Sequence, residues 1–141
     1  MVITFNGVII NRAVTINGHG ITIDGSHIAR IFNIGRQGNV KILNINFING
    51  NATQTSTDTD ERHGGAIFDD YRRCVVENCN FTNNTAQEAG ALGGAMFGGT
   101  ANNCNFTQNQ ANLDGGAMAN GIANNCNFTQ NQANQEGGAI Y

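Results

Sequence analysis

Apolar residues in this chain alternate with polar ones in short bursts, and no stretch shows the three-and-four spacing of an amphipathic helix. In Cys104-Asn105-Phe106 the first and third side chains share one face and the asparagine takes the other, as in a strand with one buried face. Residues 14–16, 21–23 and 31–34 read as similar short strands, separated by turn signals at Asn17-Gly18, Asp24-Gly25 and residues 35–38. The bursts recur as a phrase. Residues 101–118 (ANNCNFTQNQANLDGGAM) return at 123–140 with changes only at Leu113/Gln135, Asp114/Glu136 and Met118/Ile140, a period of 22 residues. A unit this short cannot bury a core alone, so each copy is one coil of a stack.

Phe47, Phe81, Phe106 and Phe128 mark equivalent points, with steps of 34, 25 and 22 residues. The longer steps come from insertions at 53–63 and 68–73 and from a shorter one between Ala86 and Gly93. Each phenylalanine is followed five positions later by Ala52, Ala86, Ala111 or Ala133, and the phrase closes with Gly-Gly-Ala before Ile67, Met96, Met118 or Ile140. Coils of about 22 residues holding two or three short strands define an all-β parallel β-helix, with successive coils roughly 4.8 Å apart. Leucine-rich repeats share the length range but need several leucines per unit, and this chain has Leu43, Leu92 and Leu113 only. Stacking then predicts an inner ladder of Phe47, Phe81, Phe106 and Phe128 beside one of Ile45, Cys79, Cys104 and Cys126, with asparagine ladders at the turns. The 22-residue step from Ile23 to Ile45 predicts that coils begin before the recognisable motif, giving five to six in one domain. Residues 1–46 form less regular first coils, and 47–141 carry the motifs.

Gly-Gly-Ala-Ile alternating with Phe-x-x-Asn resembles the motif pair of the polymorphic outer-membrane-protein repeats of chlamydial surface proteins, also seen in adhesin-like surface proteins of methanogenic archaea. The pairs are Phe81/Asn84 with 93–96, Phe106/Asn109 with 115–118, and Phe128/Asn131 with 137–140; Gly64 begins a further closing motif, and Gly50 stands where Phe47 would have its asparagine. The resemblance covers about two-thirds of the chain. It implies a right-handed β-helix exposed at a cell surface, doing structural or adhesive work, and it carries over no catalytic residue and no cofactor.

Charge narrows the partners. All 7 Lys and Arg lie at or before Arg73, and only Glu77, Glu88, Asp114 and Glu136 are charged beyond it, so no basic stripe invites nucleic acid. The first ten residues carry neither a charged leader nor an apolar run, so neither a signal peptide nor a membrane span is expected in this chain, although a surface protein calls for an export signal. The 24 asparagines make a polar, uncharged wall, and their regular alternation with Phe, Ile and Cys marks an ordered solenoid rather than a disordered tract.

Four kinds of candidate chemistry remain. The insertions carry Asp58, Asp60, Glu61 and His63, then Asp69, Asp70, Arg72 and Arg73, with Tyr71 among them. Paired carboxylates of this kind serve polysaccharide lyases, glycoside hydrolases or a glycan-binding module, and equally make a solvated loop between coils. Asp114 and Glu136 align one coil apart, either as a calcium pair short of ligands or as two solvated charges. The cysteines read as buried thiols, or as an intrachain or interchain disulfide if stacked Cβ atoms come closer than parallel geometry allows; no Cys-x-x-Cys points to zinc. Asn51, Asn80, Asn83, Asn105 and Asn127 fit the glycosylation pattern, three of them as products of the repeat.

The expected function is structural or adhesive at the cell surface, toward a glycan or a surface protein, with a carbohydrate-active enzyme as the alternative. No polar cap is visible at either end, with strand-like Val2-Ile3-Thr4-Phe5 at the start and Gly137-Gly138-Ala139-Ile140-Tyr141 at the finish. Two expectations follow: end-to-end homo-oligomers in a filament, sheath or surface layer, or further coils in a longer protein.

Overall fold

The computed structural model describes residues 7–53 and 57–141. The strand expected at Val2-Ile3-Thr4-Phe5 and residues 54–56 of the first insertion lie outside that range. All strand pairing among the described residues is parallel and runs between coils, as a solenoid requires. Val8–Ile10, Phe32–Ile34, Ile67–Asp69, Met96–Gly98 and Met118–Ala119 stack as the first wall, with Ile140 bridged to Met118. Val14–Asp24 and Val40–Ile48 each run through the second and third walls. In later coils that long strand is broken in two, as Cys74–Glu77 with Asn80–Thr82, Thr100–Asn102 with Asn105–Thr107, and Ile122–Asn124 with Asn127–Thr129. Asn51–Ala52, Thr85–Ala86, Gln110–Ala111 and Gln132–Ala133 form a short fourth wall. About five turns result.

The break in the long strand falls at Asn78, Asn103 and Asn125, whose φ values of 53°, 53° and 51° lie in the left-handed region that asparagine tolerates. Asn44 holds the same conformation at φ 56°, so it marks the corner inside an unbroken strand. In the first coil the corner lies at His19-Gly20, with a register shift between Asn17 and Ile21, and not at the Asn17-Gly18 turn expected from sequence. Ile21 therefore pairs with Ile45 and Ile23 with Phe47, steps of 24 residues, so the expected Ile23 to Ile45 match is two residues out of register. The cause is the side-chain alternation: Ile21 and Ile23 share a face, and either would match Ile45 by pattern alone.

The phenylalanine ladder forms as expected, with ring centroids 4.9, 4.7 and 5.0 Å apart from Phe47 through Phe81 and Phe106 to Phe128. Phe32 closes it edge-on against Phe47. Beside it the thiols of Cys79 and Cys104 are buried and donate to the carbonyls of Glu77 (3.3 Å) and Asn102 (3.2 Å), while Cys126 in the last described rung is half-buried. All four cysteines are free thiols.

The closing Gly-Gly-Ala is dictated by stacking. The first glycine of each set has φ between 57° and 67°, and a Cβ on the second would lie 2.3 Å from the Gly94 carbonyl oxygen at Gly65 and 2.1 Å from that of Gly116 at Gly94. The insertions interrupt the stack without entering it. Phe68 and Asp69, expected inside the second insertion, instead belong to the first wall in register with Phe97 and Gly98, so the extra residues begin only after Asp69.

Candidate functional site

The first insertion folds over the outside of the first wall, where Phe68 and Phe97 face away from the solenoid core. Asp58 caps a short 3-10 turn, Thr59–Arg62, by accepting the Asp60 N–H at 3.0 Å. The turn is pinned from below by Arg30, which sequence reading passed over. Its buried guanidinium lies 4.8 Å over the Phe68 ring and donates to the carbonyls of Asp60, Glu61, His63 and Gly64 at 2.7–3.1 Å. Burial lowers its pKa to about 10, opposed by Glu61, Asp60 and Asp58, so it stays charged at neutral pH. The signal available in sequence was one arginine inside an apolar run, Ile28-Ala29-Arg30-Ile31-Phe32.

The candidate ligand-binding residues of the insertions separate into two groups. Asp58, Asp60 and Glu61 come together with Arg30, Phe68 and Tyr71 around a cavity of about 180 Å³. Burial, then the neighbouring charges of Asp58 and Asp70, raise the Asp60 carboxyl. His63 and Asp69 are engaged elsewhere. The His63 ring stacks 4.9 Å from Phe97, its Nδ1 accepts the Leu92 N–H at 3.0 Å, and burial followed by Arg62 and Arg30 lowers its pKa to about 4. Asp69 is fully buried and accepts the N–H groups of Cys74 (2.7 Å) and Arg73 (3.0 Å), closing the second insertion as a turn; burial raises its carboxyl, and those N–H groups oppose the rise. Asp70 is exposed, while Arg72 donates to Asn120 and Arg73 to Asn39, away from the acidic group.

At the calcium candidates, the Asp114 carboxylate accepts the Glu136 N–H at 2.8 Å, which makes it a rung between coils. No group of three or more His, Cys, Asp or Glu among the described residues is placed to hold a metal ion. The glycosylation candidates all donate their side-chain amides within the fold: Asn51 to His27, Asn83 to Asn49, and Asn80, Asn105 and Asn127 each to the asparagine one coil earlier, at 2.7–2.9 Å.

A larger concavity lies on the opposite type of surface, uncharged and regular. The asparagine of Phe-x-x-Asn turns inward: Asn84 and Asn109 are fully buried. Asn109 donates to the Phe81 carbonyl and to Asn131 Oδ1, both at 3.0 Å, and its Oδ1 accepts the Asn84 N–H and the Asn84 side-chain amide. Gly50 replaces the asparagine in the second coil, and its N–H donates to Asn84 Oδ1 at 2.8 Å. Drawing the chain inward at this point leaves a groove between the third and fourth walls, about 770 Å³ in volume. Asn109 and Asn131 floor it; Thr82, Asn83, Gln108 and Gln130 line one side, and Gln110 and Gln132 the other. Sequence reading missed it because asparagine in a turn reads as outward and solvated.

The comparisons bear on the repeat. No curated protein and no solved structure matches the chain significantly. Residues 125–141, the last coil with its Phe128/Asn131 and Gly-Gly-Ala pair, match the Chlamydia polymorphic membrane protein repeat. That coil stacks in register on three others that bear the same closing motif, so the stretch similar to the polymorphic membrane protein repeat is one rung of a regular stack.

Proposed function

We propose that this chain is a non-enzymatic β-helix of the cell surface, where it works as a structural rod and an adhesive wall. The observation that carries this reading is the division of its side chains. The titratable groups His63, Asp69 and Asp114 are engaged in holding insertions and rungs, whereas uncharged amides repeat in rows along the outside. The family match supports association with a surface. The amide rows offer hydrogen bonds to a glycan, to a surface protein or to a second copy. Each coil presents the same main-chain donors and acceptors, so contact between copies uses the same bonds as contact within one. On this reading end-to-end association gives a filament, sheath or surface layer.

The test is direct. Purified chain is expected to adhere to intact cells or extracellular matrix, to sediment as a concentration-dependent oligomer, and to release no reducing ends from polysaccharide. Depolymerisation that disappears in Asp58→Asn or Asp60→Asn would instead assign a carbohydrate-active enzyme.

A further inference from the structure

We propose that the groove formed where Phe-x-x-Asn draws the chain inward binds an uncharged, hydroxyl-rich polysaccharide strand lying along the solenoid axis. This rests on the adhesive reading and gives it a site and a ligand class. Three observations carry it. The floor is preformed: the amides of Asn109 and Asn131 are held by hydrogen bonds to neighbouring coils, so no side chain there must reorganise to admit a ligand. The rims hold open valences, since Gln108, Gln130 and Gln132 have no side-chain hydrogen bond among the described residues, while Asn83 donates to Asn49 and Gln110 accepts from Gln87. Every lining side chain is neutral.

An amide presents a donor and an acceptor together, as a sugar hydroxyl does, and neither requires a counter-charge. Equivalent amides recur at the coil spacing of about 4.8 Å, which is close to the advance of one sugar unit along an extended glycan. From Asn49 to Gln130 the groove crosses three coil steps, roughly 14 Å, so a repeating ligand meets a repeating wall in register. An extended peptide fits less well. The usual grip on a peptide strand is an open sheet edge, and along this groove the main-chain groups of Asn83, Gln108, Gln110 and Gln132 are already bonded between coils.

The full chain is run by affinity electrophoresis through gels holding dextran, mannan or hydroxyethyl cellulose, with polygalacturonate as the charged comparison. At least one neutral polymer is expected to retard it. Two groove variants should each weaken that retardation about tenfold, the scale of one or two neutral hydrogen bonds. One pairs Gln108→Gly with Gln130→Gly, where φ of 56° and 54° suits glycine, and the other pairs Gln110→Ala with Gln132→Ala. Both should keep the circular dichroism and thermal midpoint of the parent. Unchanged retardation in both folded variants would overturn the proposal. So would an equal loss from Asn102→Ala with Asn124→Ala on the second wall, or retardation by polygalacturonate alone. Adhesion to cells without retardation by any neutral polymer, removed by proteolysis of the target surface, would sink the groove while leaving the adhesive reading intact. A chain that adheres to nothing would end both.

Discussion

Asn105 and Asn109 stand four positions apart in one repeat, and their surroundings make them unlike. Asn105 is exposed; its amide donates to Asn80 at 2.8 Å and its oxygen accepts from Asn127 at 2.9 Å, bonds that water can replace. Asn109 is fully buried, and truncating it would strand the Asn84 N–H and the Phe81 carbonyl away from water. Each stranded group costs roughly 1 to 3 kcal/mol. Asn109→Ala is therefore expected to destabilise by about 2 to 5 kcal/mol and Asn105→Ala by about 1 kcal/mol or less, read from urea unfolding. Equal losses would mean that the buried row has been assigned to the wrong face. His63 supplies a second test. Its folded pKa of about 4 lies below the ordinary 6.5, so the unfolded chain takes up the proton first as pH falls. The contribution is fully present above pH 6.5 and is lost as pH drops toward 4, with a slope of at most about 1.4 kcal/mol per pH unit. His63→Phe should flatten the urea midpoint across that window, and a profile identical to the parent would remove His63 as the cause.

Between coils, residues 57–63 of the first insertion are an element whose turn is pinned from the core side by Arg30, while Arg62 and His63 tie it to the next coil. Arg30 satisfies four carbonyls, and no hydrophobic residue of similar size can replace those donors. Arg30→Met should therefore free the insertion, giving rapid proteolysis between residues 57 and 63 while the strand signal in circular dichroism persists. Protease resistance equal to the parent would show that the turn is held by something else. Sequence made the strands and the phenylalanine ladder legible, because a phrase repeated at a fixed period allows only one register for Phe81, Phe106 and Phe128. It misplaced the first corner because Asn17-Gly18 is a strong local turn signal, whereas the corner at His19-Gly20 is set by how the first coil sits on the second. It missed Arg30 because an arginine is ordinarily exposed and its carbonyl partners are 30 to 34 residues away. It recognised Asn84, Asn109 and Asn131 as a motif but could not see that they turn inward, so the groove they create was hidden.

Across the whole molecule the cysteines report how tightly the coils are stacked. Cys74, Cys79 and Cys104 are buried, which shuts out a reagent, and burial also pushes the Cys74 thiol up and suppresses its reactive thiolate. Cys126 is half-buried. Labelling with a thiol reagent should therefore reach Cys126 in the native protein and the other three only on unfolding. The proposed end-to-end association adds an expectation: labelling of Cys126 should slow as protein concentration rises. Fast native labelling of Cys79 or Cys104 would contradict the packing. The rows of stacked asparagines have a consequence of another kind. Their bonds join neutral groups, so dissolved ions have no charge to screen in them, unlike the exposed Lys41–Glu77 pair at 3.3 Å. Beyond Arg73 there is no cation at all to form such a pair. Cohesion between these coils is thus set by geometry rather than by salinity, and a wall built from them would hold alike in dilute and in briny water.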